Sequence, residues 1–235
     1  MPIIAVVGSK GSGKTSTVEV LVRELTRKGY KVATVKHIPE ENFTIDTEGK
    51  DTWRHAKAGA KMIISVAPRE IAVIHKVETA KLSLENILQF CEEDIDIVIL
   101  EGFRNLVGAD PKIFKIVTIK SPSEAVDASK NFKNIIAFSG AAASELNKEE
   151  IGIPVIDALN EPERLVELVE EKIKEIGKIS GEDFTLYVDG NKVSLNPFVR
   201  KLMKSVIIAM TSNLKGVDVS RNDRVVVKIK KWGCS

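Results

Sequence analysis

Short apolar runs rich in Val and Ile recur along the chain at Ile3 to Val7, Lys31 to Lys36, Ile95 to Leu100, Phe114 to Ile119 and Asn134 to Phe138. Each has the length and the β-branched content of a buried strand. Between them the apolar spacing changes to that of a helix. Val18, Leu21, Val22 and Leu25 share one face of Thr15 to Lys28, and Leu84, Ile87, Leu88 and Cys91 share one face of Ser83 to Glu93. Alternating buried strands and amphipathic helices predict an α/β fold with a mainly parallel sheet flanked by helices, which binds ligands at the carboxyl ends of its strands. A further pair of runs, Lys61 to Ala67 and Glu70 to His75, is separated only by Pro68 and Arg69, and reads as a hairpin inserted in that sheet.

Pro162 opens a helix with Leu165, Leu168, Val169, Ile173 and Ile176 on one face, and Gly177 closes it. The expected boundary lies there, with a first domain over residues 1–177 and a small extension over 178–235. The extension reads as ββαβ: two strands around an Asp189-Gly190 turn, a helix from Pro197 capped by Asn196, and a strand over Arg224 to Lys231.

Composition changes this picture in four ways. With 235 residues, 43% hydrophobic and 29% charged, the chain has enough apolar surface for a sizeable core. It has no run long enough to span a membrane and no signal-like amino terminus, which predicts a cytoplasmic protein without a membrane partner. Cys91 and Cys234 are far apart and expected as free thiols. The net charge of +2 is unevenly spread: from Lys178 onward there are 11 bases against 5 acids, leaving 24 against 28 before it. The basic extension lacks a nucleic-acid motif or a stacking series of aromatics. Its charge is expected either to attract a phosphorylated cofactor or an acidic partner enzyme or to be a solvated basic face with no ligand, and nucleic acid is not expected.

The segment Gly8-Ser9-Lys10-Gly11-Ser12-Gly13-Lys14-Thr15 fits G-x-x-x-x-G-K-[ST] and lies between a predicted strand and a predicted helix. Its glycines let the main chain curl so that N–H groups face an anion, and the helix amino terminus, including Ser16, adds positive potential. Lys14 is expected on the β and γ phosphates and Thr15 on Mg²⁺. The metal needs a carboxylate at the end of a neighbouring strand. Glu101 stands where the run Ile97 to Leu100 ends, whereas Asp96 stands at its start, roughly 16 Å away at about 3.3 Å per residue. Glu101 is therefore the candidate catalytic and metal carboxylate, the alternative being a charge that starts a surface loop. Lys36 and His37 end the strand after the loop helix and emerge on the ligand side. Lys36 can meet a phosphate, and His37 either acts as an acid or base or is simply a hydrogen-bonded strand end. Asp51, after Gly49, is the second candidate carboxylate for catalysis and metal, or else the cap of the helix beginning at Thr52.

Lys36-His37, Gly49-Lys50-Asp51, Ala58-Gly59-Ala60 and Glu101-Gly102-Phe103-Arg104, taken with the phosphate loop, resemble the MobB family of molybdopterin guanine dinucleotide biosynthesis over about residues 1–177. The resemblance implies a P-loop NTPase-type fold with GTP as ligand; Mg²⁺ is expected from the loop itself, and with no arginine finger or water-positioning glutamine readable, GTP hydrolysis is expected to be slow and weak. It also implies work beside a molybdopterin-type cofactor with a nucleotidyltransferase or other cofactor-biosynthesis enzyme, and a homodimer. It puts Thr34, Lys36, His37 and Gly49 through Asp51 beside the phosphates, and Glu101, Gly102 and Phe103 at the end of the Walker B strand. The chain departs from the family where Ile38, Pro39 and Glu40 follow His37 in place of further histidines. Two alternatives to the accessory role stand: a small-molecule kinase holding its substrate with Lys36, His37 and Arg54, and a nucleotide-dependent metallochaperone. Asn147-Lys148-Glu149-Glu150 imitates a guanine-reading motif but ends in Glu and lies past the strand tip. Ser9 stands where the deviant P-loop of partition ATPases has its extra lysine.

Overall fold

The computed structural model describes residues 2–91, 95–146, 151–179, 184, 186–188 and 191–215. The chain divides into two compact units, Met1–Lys178 and Ile179–Ser235.

In the first unit, strands β1 (Ile3–Gly8), β2 (Val32–Lys36), β5 (Ile97–Glu101), β6 (Phe114–Thr118) and β7 (Ile135–Ser139) form one parallel sheet in the order β2-β5-β1-β6-β7. Successive side chains of a strand point to opposite faces, and here both faces are covered, which is why the strands are continuously apolar rather than alternating. Ile4, Val6, Ile97, Ile99 and Ile116 pack on one face against Val18, Leu21 and Leu25 of α1 (Lys14–Arg27) and Leu165, Val166 and Val169 of a long helix over Pro162–Ile179. Ala5, Val7, Val98, Leu100 and Val117 pack on the other face. There they meet Val107 of α4 (Arg104–Val107), Ala125 and Ala128 of α5 (Pro122–Asn131), and Phe132. Two further helices, α2 (Asp51–Lys57) and α3 (Leu84–Leu88), lie in the connection from β2 to β5, so the Pro162 helix is α6.

Glu170 of α6 accepts hydrogen bonds from Lys28 Nζ at 2.7 Å and Tyr30 Oη at 3.1 Å, tying α6 to the chain that follows α1. The Lys28 ammonium holds the Glu170 carboxyl below its ordinary range, and Glu170 in turn raises Lys28. Beyond β7, Val155 forms a parallel bridge with Phe138.

The hairpin differs from the sequence expectation. β3 (Met62–Ala67) and β4 (Glu70–His75) pair antiparallel with each other as a separate two-stranded sheet, outside the parallel sheet. The parallel sheet is covered on both faces by helices without them. Of the hairpin's residues only Ile63 is buried, and Met62, Ile64, Val66, Ile71 and Val73 are exposed. Helix α3 is also shorter than its apolar spacing suggests. It is opened by a reciprocal capping box between Ser83 and Asn86 and ends at Leu88.

The second unit contains an antiparallel pair, β8 (Leu186–Val188) and β9 (Asn191–Val193), and helix α7 (Pro197–Ser212), whose Asn196 cap accepts from the Val199 N–H at 2.9 Å. The Asp189-Gly190 turn, the expected strand at Arg224 to Lys231 and the segment Asn147 to Glu150 lie outside the described residues. Among the described residues, no helix is long and apolar enough to cross a membrane.

Candidate functional site

Because the five strands are parallel, β1, β2, β5, β6 and β7 all end on one edge, at Gly8, Lys36, Glu101, Thr118 and Ser139. The phosphate loop runs along this edge from Gly8 to the start of α1. Gly8 must be glycine for want of room: a Cβ there would stand 2.2 Å from the Thr118 carbonyl oxygen and 2.6 Å from Ser12 Oγ. Gly13, the residue before α1, has φ 98°, a left-handed backbone that frees the first amides of the helix to face the loop. Ser12 is fully buried. Its hydroxyl lies 2.9 Å from the Ser9 carbonyl and 2.7 Å from Thr118 Oγ1. Lys10 and Gly11 form the exposed crown of the loop, and Ser16 is half-buried in the first turn of α1.

Lys14 turns back on its own loop, Nζ donating to the Gly8 carbonyl at 3.1 Å and to the Ser9 carbonyl at 2.6 Å. Burial lowers its pKa; Glu101 opposes that, and the nearby ammoniums of Lys36 and Lys120 add to it. Thr15 Oγ1 donates to Glu101 Oε1 at 2.8 Å, and the same oxygen is 3.1 Å from Lys36 Nζ. This meeting follows from register, since Lys36 at the end of β2 pairs with Glu101 at the end of β5. Two residues distant in sequence, Thr15 and Lys36, thus share the Glu101 carboxylate, which is itself almost buried.

His37 follows, its N–H donating to the Glu101 carbonyl at 2.9 Å and its ring 5.2 Å from that of Phe103. Gly102 continues from Glu101 with φ 89° and donates to the Val6 carbonyl. Asp96 stands before β5, at the opposite edge, where its Oδ2 accepts from the Lys31 N–H at 2.8 Å. Among the described residues, no hydrogen bond or ion pair joins Asp51 to this cluster. It is the first residue of α2, its side chain is 88% exposed, and it lies 3.7 Å from Arg54 on the helix surface.

Two contributors were not read from the sequence. Glu124, in the first turn of α5, accepts from Ser9 Oγ at 2.9 Å with one oxygen and from the Lys120 N–H at 2.8 Å with the other. The Lys120 amide, with Ser9, keeps its carboxyl below the ordinary range against the effect of burial. The available signal was Ser121-Pro122-Ser123-Glu124, a capping-box spacing after a strand, but here the carboxylate reaches back to Lys120 and across to the phosphate loop. Gly140, after β7, is the second: a Cβ there would stand 2.4 Å from the Ser12 carbonyl oxygen, so the β7 end packs directly on the loop.

The arrangement combines a glycine-rich loop at a helix amino terminus, a lysine and a hydroxyl–carboxylate pair. Thr15 and Glu101 are oxygen donors side by side, the ligand type that Mg²⁺ takes when phosphates and water complete its shell. The residues therefore fit a Mg·nucleotide. No group of three or more His, Cys, Asp or Glu side chains that could hold a metal unaided occurs among the described residues.

Comparison with known proteins gives a consistent result. Residues 3–144 match the family model for molybdopterin guanine dinucleotide synthesis protein B, MobB. A protein of Methanocaldococcus jannaschii, provisionally named a molybdopterin-guanine dinucleotide biosynthesis adapter protein, is 28% identical over 98% of this chain and 99% of its own length. The adapter protein of that name from Haemophilus influenzae is 35% identical over 44% of this chain and 58% of its own. The crystal structure of Bacillus subtilis MobB superposes with a TM-score of 0.58 at 25% identity, covering 73% of this chain and 98% of the other.

Proposed function

The chain belongs to the family of molybdopterin guanine dinucleotide synthesis protein B, and from that membership we propose that it is a GTP-binding accessory protein with slow hydrolysis that assists attachment of a guanine nucleotide to a molybdopterin-type cofactor, or delivery of the finished cofactor. One observation supports the nucleotide reading above the others: Lys14, Thr15, Lys36 and Glu101 converge at the carboxyl edge of the sheet beside the phosphate loop. In this reading the loop amides and Lys14 hold the phosphates. Lys14 exchanges its two loop carbonyls for phosphate oxygens, and burial makes such partners more valuable. Thr15 and Glu101 would hold Mg²⁺, which neutralises charge between the β and γ phosphates when bound.

Slow turnover is expected because, among the described residues, neither a glutamine nor an arginine is placed against the loop by a hydrogen bond or ion pair. The chain's one glutamine, Gln89, follows α3 rather than β5. The Arg104 guanidinium lies over the Phe132 ring at 5.2 Å. Without an arginine finger and a water-positioning group, P-loop hydrolysis runs near 10⁻⁴ s⁻¹, about five orders below the assisted rate. Such a protein acts through its nucleotide-bound state, presenting it to partner enzymes of cofactor biosynthesis in the cytoplasm. The choice of guanine rests on the family.

Calorimetric titration with GTP, GDP and ATP in Mg²⁺ tests this. The expected result is tight GTP binding, weaker ATP binding, and loss of both in Lys14→Ala while the fold persists by circular dichroism. Equal affinity of Lys14→Ala and the native chain for GTP would overturn the site assignment, and preference for ATP would overturn the guanine reading.

A further inference from the structure

Glu101 is an almost buried carboxylate with its charge already answered. Its Oε1 accepts from Thr15 and pairs with the Lys36 ammonium at 3.1 Å. A buried carboxylate needs such a partner, because the unpaired ion loses its hydration without return. Yet the oxygen that the ammonium holds, Glu101 Oε1, is the one that, beside Thr15 Oγ1, would take a divalent ion. Two cations cannot share that oxygen at contact distance without strong repulsion. Lys36 is also free to leave. Its side chain is 54% exposed, against 11% for Glu101, and it is a compact charge on a flexible stem that can follow a phosphate oxygen. Lys14 has the same character, since it rests on loop carbonyls that a phosphate would replace.

We propose that Lys36 is a resident counter-ion of Glu101, which holds the metal position closed in the nucleotide-free protein and yields it only when a triphosphate offers the ammonium another anion. This rests on the nucleotide reading above and adds to it an order of events. Metal binds Glu101 appreciably only together with a triphosphate, and the exchange of Lys36 from carboxylate to γ-phosphate makes the site distinguish triphosphate from diphosphate. Lys36 acts here as a positioning and specificity residue.

Mn²⁺, which shares the oxygen preference of Mg²⁺ and is visible by electron paramagnetic resonance, is the probe. In the native chain, Mn²⁺ alone is expected to bind weakly, and to bind far more tightly once GTP is saturating. In Lys36→Met, removal of the competing charge is expected to strengthen binding of Mn²⁺ alone by about tenfold or more. Glu101→Gln in the same background should abolish that gain, and Lys36→Arg should remain at the native level. Lys36→Met should also lose most of the GTP-over-GDP preference measured by calorimetry. Lys36→Gln serves as a second neutral variant should the methionine unfold the chain. Unchanged binding of Mn²⁺ alone in the folded neutral variant would overturn the proposal even if GTP binds well. Failure of the native chain to bind any nucleotide would instead overturn the nucleotide reading, while the metal-only comparison still decides the pairing of Lys36 with Glu101.

Discussion

Ser12 and Thr118 meet hydroxyl to hydroxyl at 2.7 Å inside the first unit, both fully buried, and so fasten the floor of the phosphate loop to the end of the neighbouring strand. Thr118 Oγ1 also lies 3.3 Å from the Val7 carbonyl, making it a bracket between β6, β1 and the loop. Thr118→Val keeps the shape of the side chain and removes the hydroxyl. Ser12 retains the Ser9 carbonyl as a partner, so the cost should be that of one buried hydrogen bond, about 1 kcal/mol. In a chain of this size that lowers the thermal midpoint by about 2–4 °C. A midpoint equal to the native one in scanning calorimetry would show that the bracket carries no net stability.

Glu124 grips the same loop from the outside, through Ser9, and its acid behaviour gives a second test. Its carboxyl titrates below the ordinary glutamate range because the ionised form accepts from Lys120 and Ser9. A depressed folded-state value means that the stabilisation is fully present above the unfolded value, about 4.3, and is lost as pH falls through the lower folded value. Glu124→Gln should therefore lower the midpoint at pH 7 by about 2–4 °C, the shift for a loss of about 1 kcal/mol. The gap should stay level from pH 8 to 5 and narrow in stronger acid. A gap that widened on acidification would contradict the sign.

The two carboxylates that bound β5 should respond differently. Asp96 accepts a surface amide at the far edge, whereas Glu101 faces Thr15 and Lys36. Glu101→Gln keeps a hydrogen-bond acceptor and deletes the charge. Hydrogen bonds to charged groups are worth about 1.5–3 kcal/mol, so Mg-dependent GTP affinity should fall by about ten- to a hundredfold. Asp96→Asn should leave it within about twofold. Titration of both variants with Mg·GTP decides, and a larger loss in Asp96→Asn would reverse the polarity of the site.

What the sequence made legible follows from the range of the interactions involved. The five strands and α1 were readable because each is a local pattern, a β-branched run or a 3.6-residue repeat, and the glycines of the phosphate loop are fixed by the loop's own curvature. Lys36 and Glu101 could each be placed at a strand end. Their meeting could not, because the pairing of β2 with β5 joins segments 65 residues apart. The same holds for Ser12 with Thr118 and Ser9 with Glu124. The hairpin was read as part of the main sheet because its apolar residues look like those of buried strands; in the structure much of that apolar surface is exposed. Asp51 satisfied the local expectation of a carboxylate after glycine, and the structure places it at the start of α2 beside Arg54.

That exposed surface supports a last prediction, that the protein is a homodimer joined through the hairpin. A two-stranded sheet is marginal by itself in water, and β3 and β4 present Met62, Ile64 and Val66 beside their cross-strand partners His75, Val73 and Ile71 on one face. Ile64 is 56% exposed, Val66 76% and Ile71 67%. Apolar side chains so clustered mark a surface that gains by being covered. A second copy can do so with the same residues, since a two-fold interface is self-complementary. Ile64→Lys places a charge in the middle of this face. In a monomer the change is at an exposed position and should cost little, within about 0.5 kcal/mol. In a dimer it sets two ammoniums near the symmetry axis and should drive dissociation. Sedimentation equilibrium at micromolar concentration is expected to give twice the chain mass for the native protein and the chain mass for the variant, with circular dichroism unchanged. A native protein that sediments as a monomer would overturn the dimer, and a variant that stays dimeric would place the contact elsewhere.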